Sequence, residues 1–203
     1  MASESDATQP RIVRTTAPEQ HLRPLSHADR VRMFGAFDFT PDPVPPDPVR
    51  GTLGEPERIA IAGRWAADNI VRVDTPQLAH LGRRTLRMHK LAAGPLQAML
   101  AAWESAGLLK HVLTVNGAFY PRFKRGKAGP DATHADLSTH SWGCAIDLNA
   151  PWNRLGKPPA PKGERGSVVE LVPIAEQHGF AWGGWWRTPD GMHLELARLP
   201  AAT

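Results

Sequence analysis

Cysteine and tyrosine are nearly missing from this chain: its 203 residues contain one Cys, Cys144, and one Tyr, Tyr120. A single thiol excludes an intramolecular disulfide, so packing and any bound ion must hold the fold. No run approaches the ~18 consecutive apolar residues of a membrane span. The opening Met1-Ala2-Ser3-Glu4-Ser5-Asp6 lacks the apolar core of an export signal. The expectation is a soluble protein made in the cytoplasm, with no signal peptide and no membrane span. Charge of one sign is also modest, at 24 Lys and Arg against 20 Asp and Glu, a net of +4. The basic residues fall in short groups, Arg83-Arg84-Thr85-Leu86-Arg87 and Lys124-Arg125-Gly126-Lys127. A solvated face explains such groups, and no nucleic-acid motif accompanies them. The surplus suits a polyanionic partner.

Histidine, tryptophan and proline are plentiful, at 9, 7 and 20 residues. Five of the tryptophans, Trp142, Trp152, Trp182, Trp185 and Trp186, lie after residue 140, where indoles serve equally as a binding platform or as core. The hydrophobic share of 41% supports a proper core, and this length fits one domain. The first ~22 residues are polar and read as disordered. Leu25 to Phe39 holds a short helix starting at Ser26, and five prolines between Pro41 and Pro48 read as an extended strap. Residues 1–50 are therefore taken as an N-terminal extension and 51–203 as the main domain. Ile59, Ala62, Ala66 and Ile70 stand at helical spacing, which predicts a helix over 55–70 with Pro56 in its first turn. Asn69–Val73 and Val112–Val115 read as strands. A stronger helix is expected over 94–106, opened by Pro95, lined by Leu96, Met99, Leu100 and Trp103, and closed by Gly107. Ser167-Val168-Val169-Glu170 has the capping-box pattern of another helix, which Pro173 should kink. Helices first, then short strands with long loops, argue for an α+β domain with a small antiparallel sheet.

Two fragments carry chemistry. Ser138-Thr139-His140-Ser141-Trp142-Gly143-Cys144-Ala145-Ile146-Asp147 is answered near the end of the chain by Asp190-Gly191-Met192-His193-Leu194-Glu195. His140, Asp147 and His193 make a His/His/Asp set with an open fourth position, the ligand count of a catalytic zinc rather than a closed structural one. Hydrolysis also needs a group to take a proton from the attacking water, and Asp190 is spare for it. Cys144, Ile146 and Leu148 alternate with Ala145, Asp147 and Asn149, as in a half-buried strand. The same alternation turns Met192, Leu194 and Leu196 inward and His193 with Glu195 outward, so two paired strands would bring Asp147 and His193 together. Gly143 lets the chain bend after His140. Glu195 competes with Asp190 as the base, or orients a ligand imidazole. Arg125 offers the same fork of donors as Arg122. His134, flanked by Asp131 and Asp136, is the rival cation site. Cys144 packs as a small hydrophobe.

These residues resemble the M15 family of zinc peptidases, the D-Ala-D-Ala peptidases and endolysins that act on bacterial cell walls. Ser138, His140, Gly143, Ala145 and Asp147 match the family's S-x-H-x-x-G-x-A-x-D motif in full, and Asp190 with His193 matches its acid-x-x-H element. The resemblance extends over roughly 86–197, including Trp182-Gly183-Gly184-Trp185. It implies a Hedgehog/DD-peptidase-like fold and one zinc per chain on His140, Asp147 and His193. Asp190 would be the general base and Arg122 would contact the scissile carbonyl. Ser138, Trp142 and Trp185 are candidate substrate contacts. The implied partner is peptidoglycan, cut between L-Ala and D-Glu in the lysin-like branch or at terminal D-Ala in a carboxypeptidase. A monomer is expected, acting on the cell wall after release by a phage or prophage factor or carried on a virion. The competing class is a non-catalytic zinc module of a phage tail or wall-binding protein; retention of Asp190 beside a full ligand set argues against it.

Overall fold

Short strands gathered from distant parts of the chain make the sheet that carries both motifs. The computed structural model describes residues 21–49 and 51–200, so the polar segment expected over the first ~22 residues lies almost wholly outside the described part. In chain order the elements are α1 (His27–Phe34), β1 (Phe39–Pro41), β2 (Ile59–Ile61), α2 (Trp65–Asn69), β3 (Ile70–Asp74), β4 (Thr85–His89) and α3 (Lys90–Ser105). They continue as β5 (Val115–Asn116), β6 (Ala145–Leu148), α4 (Val172–Gln177), β7 (Phe180–Trp182) and β8 (His193–Leu196). Two hairpins, β1–β2 and β3–β4, accompany a four-stranded antiparallel sheet of order β5-β6-β8-β7. The class is α+β. Among the described residues no helix is long and apolar enough to cross a membrane.

The alternation of the two motif strands sets their faces. Cys144, Ile146, Leu148, Leu194 and Leu196 enter one core with Leu96, Met99, Leu100 and Trp103 of α3. The opposite face is not outward, as the period-2 pattern alone predicts. His193 and Glu195 are 5% and 2% exposed, because Arg30 of α1 lies on that face within 3.2 Å of Glu195. Contacts also tie residues on either side of position 50 together. Phe34 is in the core, and the Trp142 indole donates to the Gly35 carbonyl at 2.9 Å.

Several helix expectations fail for local reasons. The helix over 55–70 is absent except for Trp65–Asn69. The proline-rich strap supplies a strand partner, so Ile59 and Ile61 pair with β1, and bridges Val44–Glu55 and Asp47–Thr52 continue the hairpin. Two β-branched residues at period 2 then outweigh a weak helical pattern. α3 starts at Lys90, leaving Pro95 inside it. That proline removes the hydrogen bond to the Leu91 carbonyl, a disruption costing about 3 kcal/mol in an ordinary helix interior. The buried row Ala92, Leu96, Met99, Leu100 and Trp103 anchors the helix on both sides of the break. The Ser167 box closes only a turn: Oγ donates to Glu170 at 2.6 Å and accepts from the Val169 N–H at 3.2 Å. α4 begins later, with Pro173 in its first turn, so that proline opens a helix and kinks none. Of the strand expected at 112–115, only Val115 pairs, together with Asn116.

His89 joins the pieces around the site. Its Nδ1 caps α3 by accepting from the Leu91 N–H at 3.1 Å, which leaves the proton on Nε2, and Nε2 donates to the Phe34 carbonyl at 3.2 Å. Its backbone N–H donates to the Gly143 carbonyl at 2.9 Å. Gly143 has φ 65°, and a Cβ there would lie 2.9 Å from that same His89 nitrogen, so the bend after His140 requires glycine twice over. Burial pulls the His89 imidazole down from 6.5 to about 4, against the opposing Phe34 hydrogen bond. Between those values the unfolded chain binds a proton that the folded chain refuses. Stability from this group is full above pH 6.5 and is lost as pH falls toward 4. Urea midpoints measured from pH 7 to 4 should fall across that window. In His89→Asn, which keeps a capping side chain but does not titrate, the fall should be shallower; an unchanged slope would remove His89 from the account.

Candidate active site

Strand register places the acid against the second histidine. Asp147 and His193 are directly opposed on β6 and β8, and the Thr139–Trp142 turn swings His140 onto the same carboxylate. Asp147 Oδ1 accepts from His193 Nδ1 at 3.0 Å and from His140 Nε2 at 3.2 Å. One ligand atom from each of His140, Asp147 and His193 lies within 4.8 Å of the others, so this group could hold a metal ion. Among the described residues it is the one such group of histidine, cysteine or carboxylate side chains. The second nitrogen of each ring is tied down from behind. His140 Nδ1 donates to the Ala118 carbonyl at 3.1 Å, and His193 Nε2 faces Glu195 Oε2 and Thr139 Oγ1, both at 3.1 Å. Anchoring the far nitrogen sets the orientation of the ring and aims the near one, as supporting groups do at metal sites.

The charges agree with this geometry. Burial alone would raise the Asp147 carboxyl, but hydrogen bonds from His140 and His193 hold it well below the usual carboxylate range. Burial likewise pulls on His193, and its bonds to Asp147 and Glu195 overcome that and lift it to about 10. Glu195 is buried yet kept ionised by His193 and Arg30. With both oxygens engaged, it supports an imidazole, the second of the two roles its position on the strand allowed.

The cluster opens on a cleft of about 430 Å³. Asp190 lines it on a loop held back by Gly183: the Asp190 N–H donates to the Gly183 carbonyl at 2.9 Å, and a Cβ on Gly183 would meet the Asp190 carbonyl oxygen at 2.5 Å. Asp190 Oδ1 is buried without a hydrogen-bond partner among the described residues. Burial raises its pKa, helped by the Asp147 charge and opposed by His193, His140 and Arg122. A half-buried carboxyl of that kind is a ready proton acceptor. Arg122 and Arg125 both line the cleft. Arg122 is half-buried and feels the Asp147 charge, and burial lowers its own pKa; one of its nitrogens donates to the Phe123 carbonyl at 3.1 Å. Ser138 also faces the cleft.

The two tryptophans proposed as substrate contacts lie elsewhere. Trp142 is 0% exposed and packs against Phe37 and His134 beneath the site, so it is core. Trp185 stacks on His21 with ring centroids 4.1 Å apart and lines a neighbouring hollow. The indole in the cleft is Trp186, 5.5 Å from the His193 ring. Its place beside the Trp182-Gly183-Gly184-Trp185 run was the available signal. His134 belongs to no metal-holding group among the described residues: it sits among Phe37, Phe39 and Trp142, while Asp136 bonds Thr133. Cys144 is buried with its thiol pushed up by burial, as a packing residue. Arg30 and Thr139, which hold the back of the site, gave no sign in the sequence.

Comparison with known proteins places a boundary around this site. Residues 131–196 match the model of an M15 peptidase family described as D-alanyl-D-alanine carboxypeptidase. That segment is similar to M15 peptidases. It covers about a third of the 203 residues and includes His140, Asp147, Asp190 and His193. No curated protein and no solved structure gives a significant match to the chain. The matched segment leaves out α1 and the arginine loop, which line the same cleft.

The placement of Trp142 is testable. Trp142→Phe loses the hydrogen bond to Gly35 and should cost about 1 kcal/mol, or about 2–4 °C of melting temperature. Circular dichroism melts check this. A changed KM for a wall-derived peptide with an unchanged melting temperature would put Trp142 back in the cleft.

Proposed function

We propose that this protein is a zinc peptidase that hydrolyses a peptide bond in the peptidoglycan stem, with a Hedgehog/DD-peptidase-like arrangement around the site. One observation carries the reading: His140, Asp147 and His193 converge at a cleft that also holds an unpartnered Asp190 carboxylate oxygen. The donor set suits zinc, since two imidazole nitrogens and one carboxylate oxygen leave a coordination position open. Zinc held there would supply Lewis acidity toward the carbonyl and toward water. Asp190 accepts the proton of the attacking water and delivers it to the leaving amine. Arg122 offers its remaining guanidinium N–H groups to the oxygen on which charge develops. Glu195 and Ala118 keep the two imidazoles turned toward Asp147.

The substrate is read from the wall of the cleft. Arg122, Lys124, Arg125 and Lys127 line it, and among the described residues none of them has a salt-bridge partner. Its acids Asp147 and Glu195 are already bonded within the site. Such a wall favours a peptide with more than one carboxylate. The L-Ala/D-Glu bond is the preferred target, because a D-Glu-led stem carries its carboxylates beyond the scissile bond. The alternative, release of terminal D-Ala, is favoured by the description of the matching family. Its action would be on the cell wall, and a monomer suffices for the site.

Two measurements test this. Purified protein should retain about one zinc per chain, and Asp190→Asn should keep the zinc while turnover falls roughly 10²–10⁴-fold. Digestion of a pentapeptide-stem muropeptide, followed by mass spectrometry, should release a D-Glu-led peptide. Free D-Ala as sole product would select the carboxypeptidase, and intact substrate with zinc bound would make the protein a wall-binding module. Loss of zinc in Asp190→Asn would make Asp190 a ligand, and near-normal turnover would move the base role away from it.

A further inference from the structure

The back of the site reaches further along the chain than the matched segment. Arg30 is 6% exposed, on a helix that lies 165 residues before Glu195 in sequence. Its guanidinium donates to Glu195 Oε1 at 3.2 Å and to the Leu25 carbonyl at 3.1 Å, and it lies over the Trp142 ring at 5.6 Å. The other oxygen of Glu195 accepts from His193 Nε2, and His193 Nδ1 meets Asp147. Four side chains thus run in one line, Arg30 to Glu195 to His193 to Asp147. Pro24, Leu25 and His27, just before Arg30, line the cleft itself. We propose that Arg30 is a positioning residue of this site: by holding Glu195 against His193 Nε2, it keeps Nδ1 turned toward Asp147, and α1 is thereby part of the site rather than an appendage to it.

Physical reasons favour this over plain packing. A buried carboxylate without a cation would be left with an uncompensated charge, and Glu195 is 2% exposed. Among the described residues, Arg30 is the arginine or lysine that forms an ion pair with it. Losing that pair would free Glu195 to turn away, which releases His193. A planar guanidinium fixed by a carbonyl on one side and a ring beneath it offers Glu195 a set direction, which a flexible ammonium does not. α1 is itself set in place by the Ser26 cap, which accepts from the Asp29 N–H at 3.1 Å, and by the Phe34 carbonyl that His89 holds.

This inference rests on the zinc reading above, and its test separates the two. Zinc affinity of the full chain is measured by competition with a chromophoric chelator, beside melts of the metal-free protein. Arg30→Met and Glu195→Gln should each weaken zinc binding by roughly 10–100-fold, the range expected for groups that support a ligand. Arg30→Lys should recover part of the loss. In a Glu195→Gln background, Arg30→Met should add little, since Arg30 acts through Glu195. If Arg30→Met proves too unstable, the Arg30→Lys and Glu195→Gln proteins carry the same comparison. Wild-type zinc affinity in folded Arg30→Met, or in Arg30→Lys and Glu195→Gln, would overturn the proposal, even with a lowered melting temperature. Additive losses in the double variant would do so as well. If the wild-type protein itself binds no zinc, the zinc reading falls and takes this one with it.

Discussion

Asp147 sits between two imidazoles, and most of the site follows from how that carboxylate is kept charged while buried. Burial penalises the anion, and hydrogen bonds from His140 and His193 more than offset it. The balance requires both rings to arrive together at one oxygen. One arrives through the β6–β8 register, which sets Asp147 opposite His193; the other arrives through a turn closed by Gly143 in a left-handed conformation. A slip of one residue between those strands would send His193 to the core face and leave Asp147 with His140 alone. Chemistry and folding therefore depend on the same register.

The motif is not self-sufficient. His193 needs Glu195 behind it, Glu195 needs a cation, and the cation comes from α1. His89 links the carbonyl end of α1, the start of α3 and the Gly143 bend through three hydrogen bonds. The segment before residue 50 thus covers a face of the sheet that alternation alone would have left to solvent. A region that is proline-rich and polar in composition becomes structural through a few specific contacts: Phe34 in the core, Arg30 on Glu195, and the strap paired with Ile59–Ile61.

Local rules were reliable where local forces dominate. The helix start at Ser26, the strand expected at 69–73 and found at 70–74, the buried row of α3 and the alternation of both motif strands are short-range patterns and appear close to where the sequence placed them, apart from Met192, which lines the cleft. The same rules failed where a distant partner decides the outcome. Ile59 to Ile70 has helical spacing, but β1 offers backbone hydrogen bonds that no local count includes. Pro95 suits a helix start by local rules, whereas the buried face carries α3 past it. Trp142 stood in the motif and was read as near the substrate, but its indole points to Gly35 beneath the site, and Trp186 faces the cleft instead.

By itself the sequence singled out the candidates for chemistry: Asp147 and His193 in alternations that place them on paired strands, His140 in the turn before the first strand, a spare Asp190, and an arginine loop ahead of them. Those follow from residue type and from a strand period of two, properties that hold whatever the rest of the chain does. The tertiary structure alone decided which groups stand behind the imidazoles, which indole enters the cleft, and that the face bearing His193 is covered. The cover over that face and the seating of Trp142 depend on contacts more than a hundred positions apart, Arg30 to Glu195 and Trp142 to Gly35, and spacing along the chain holds no record of such contacts.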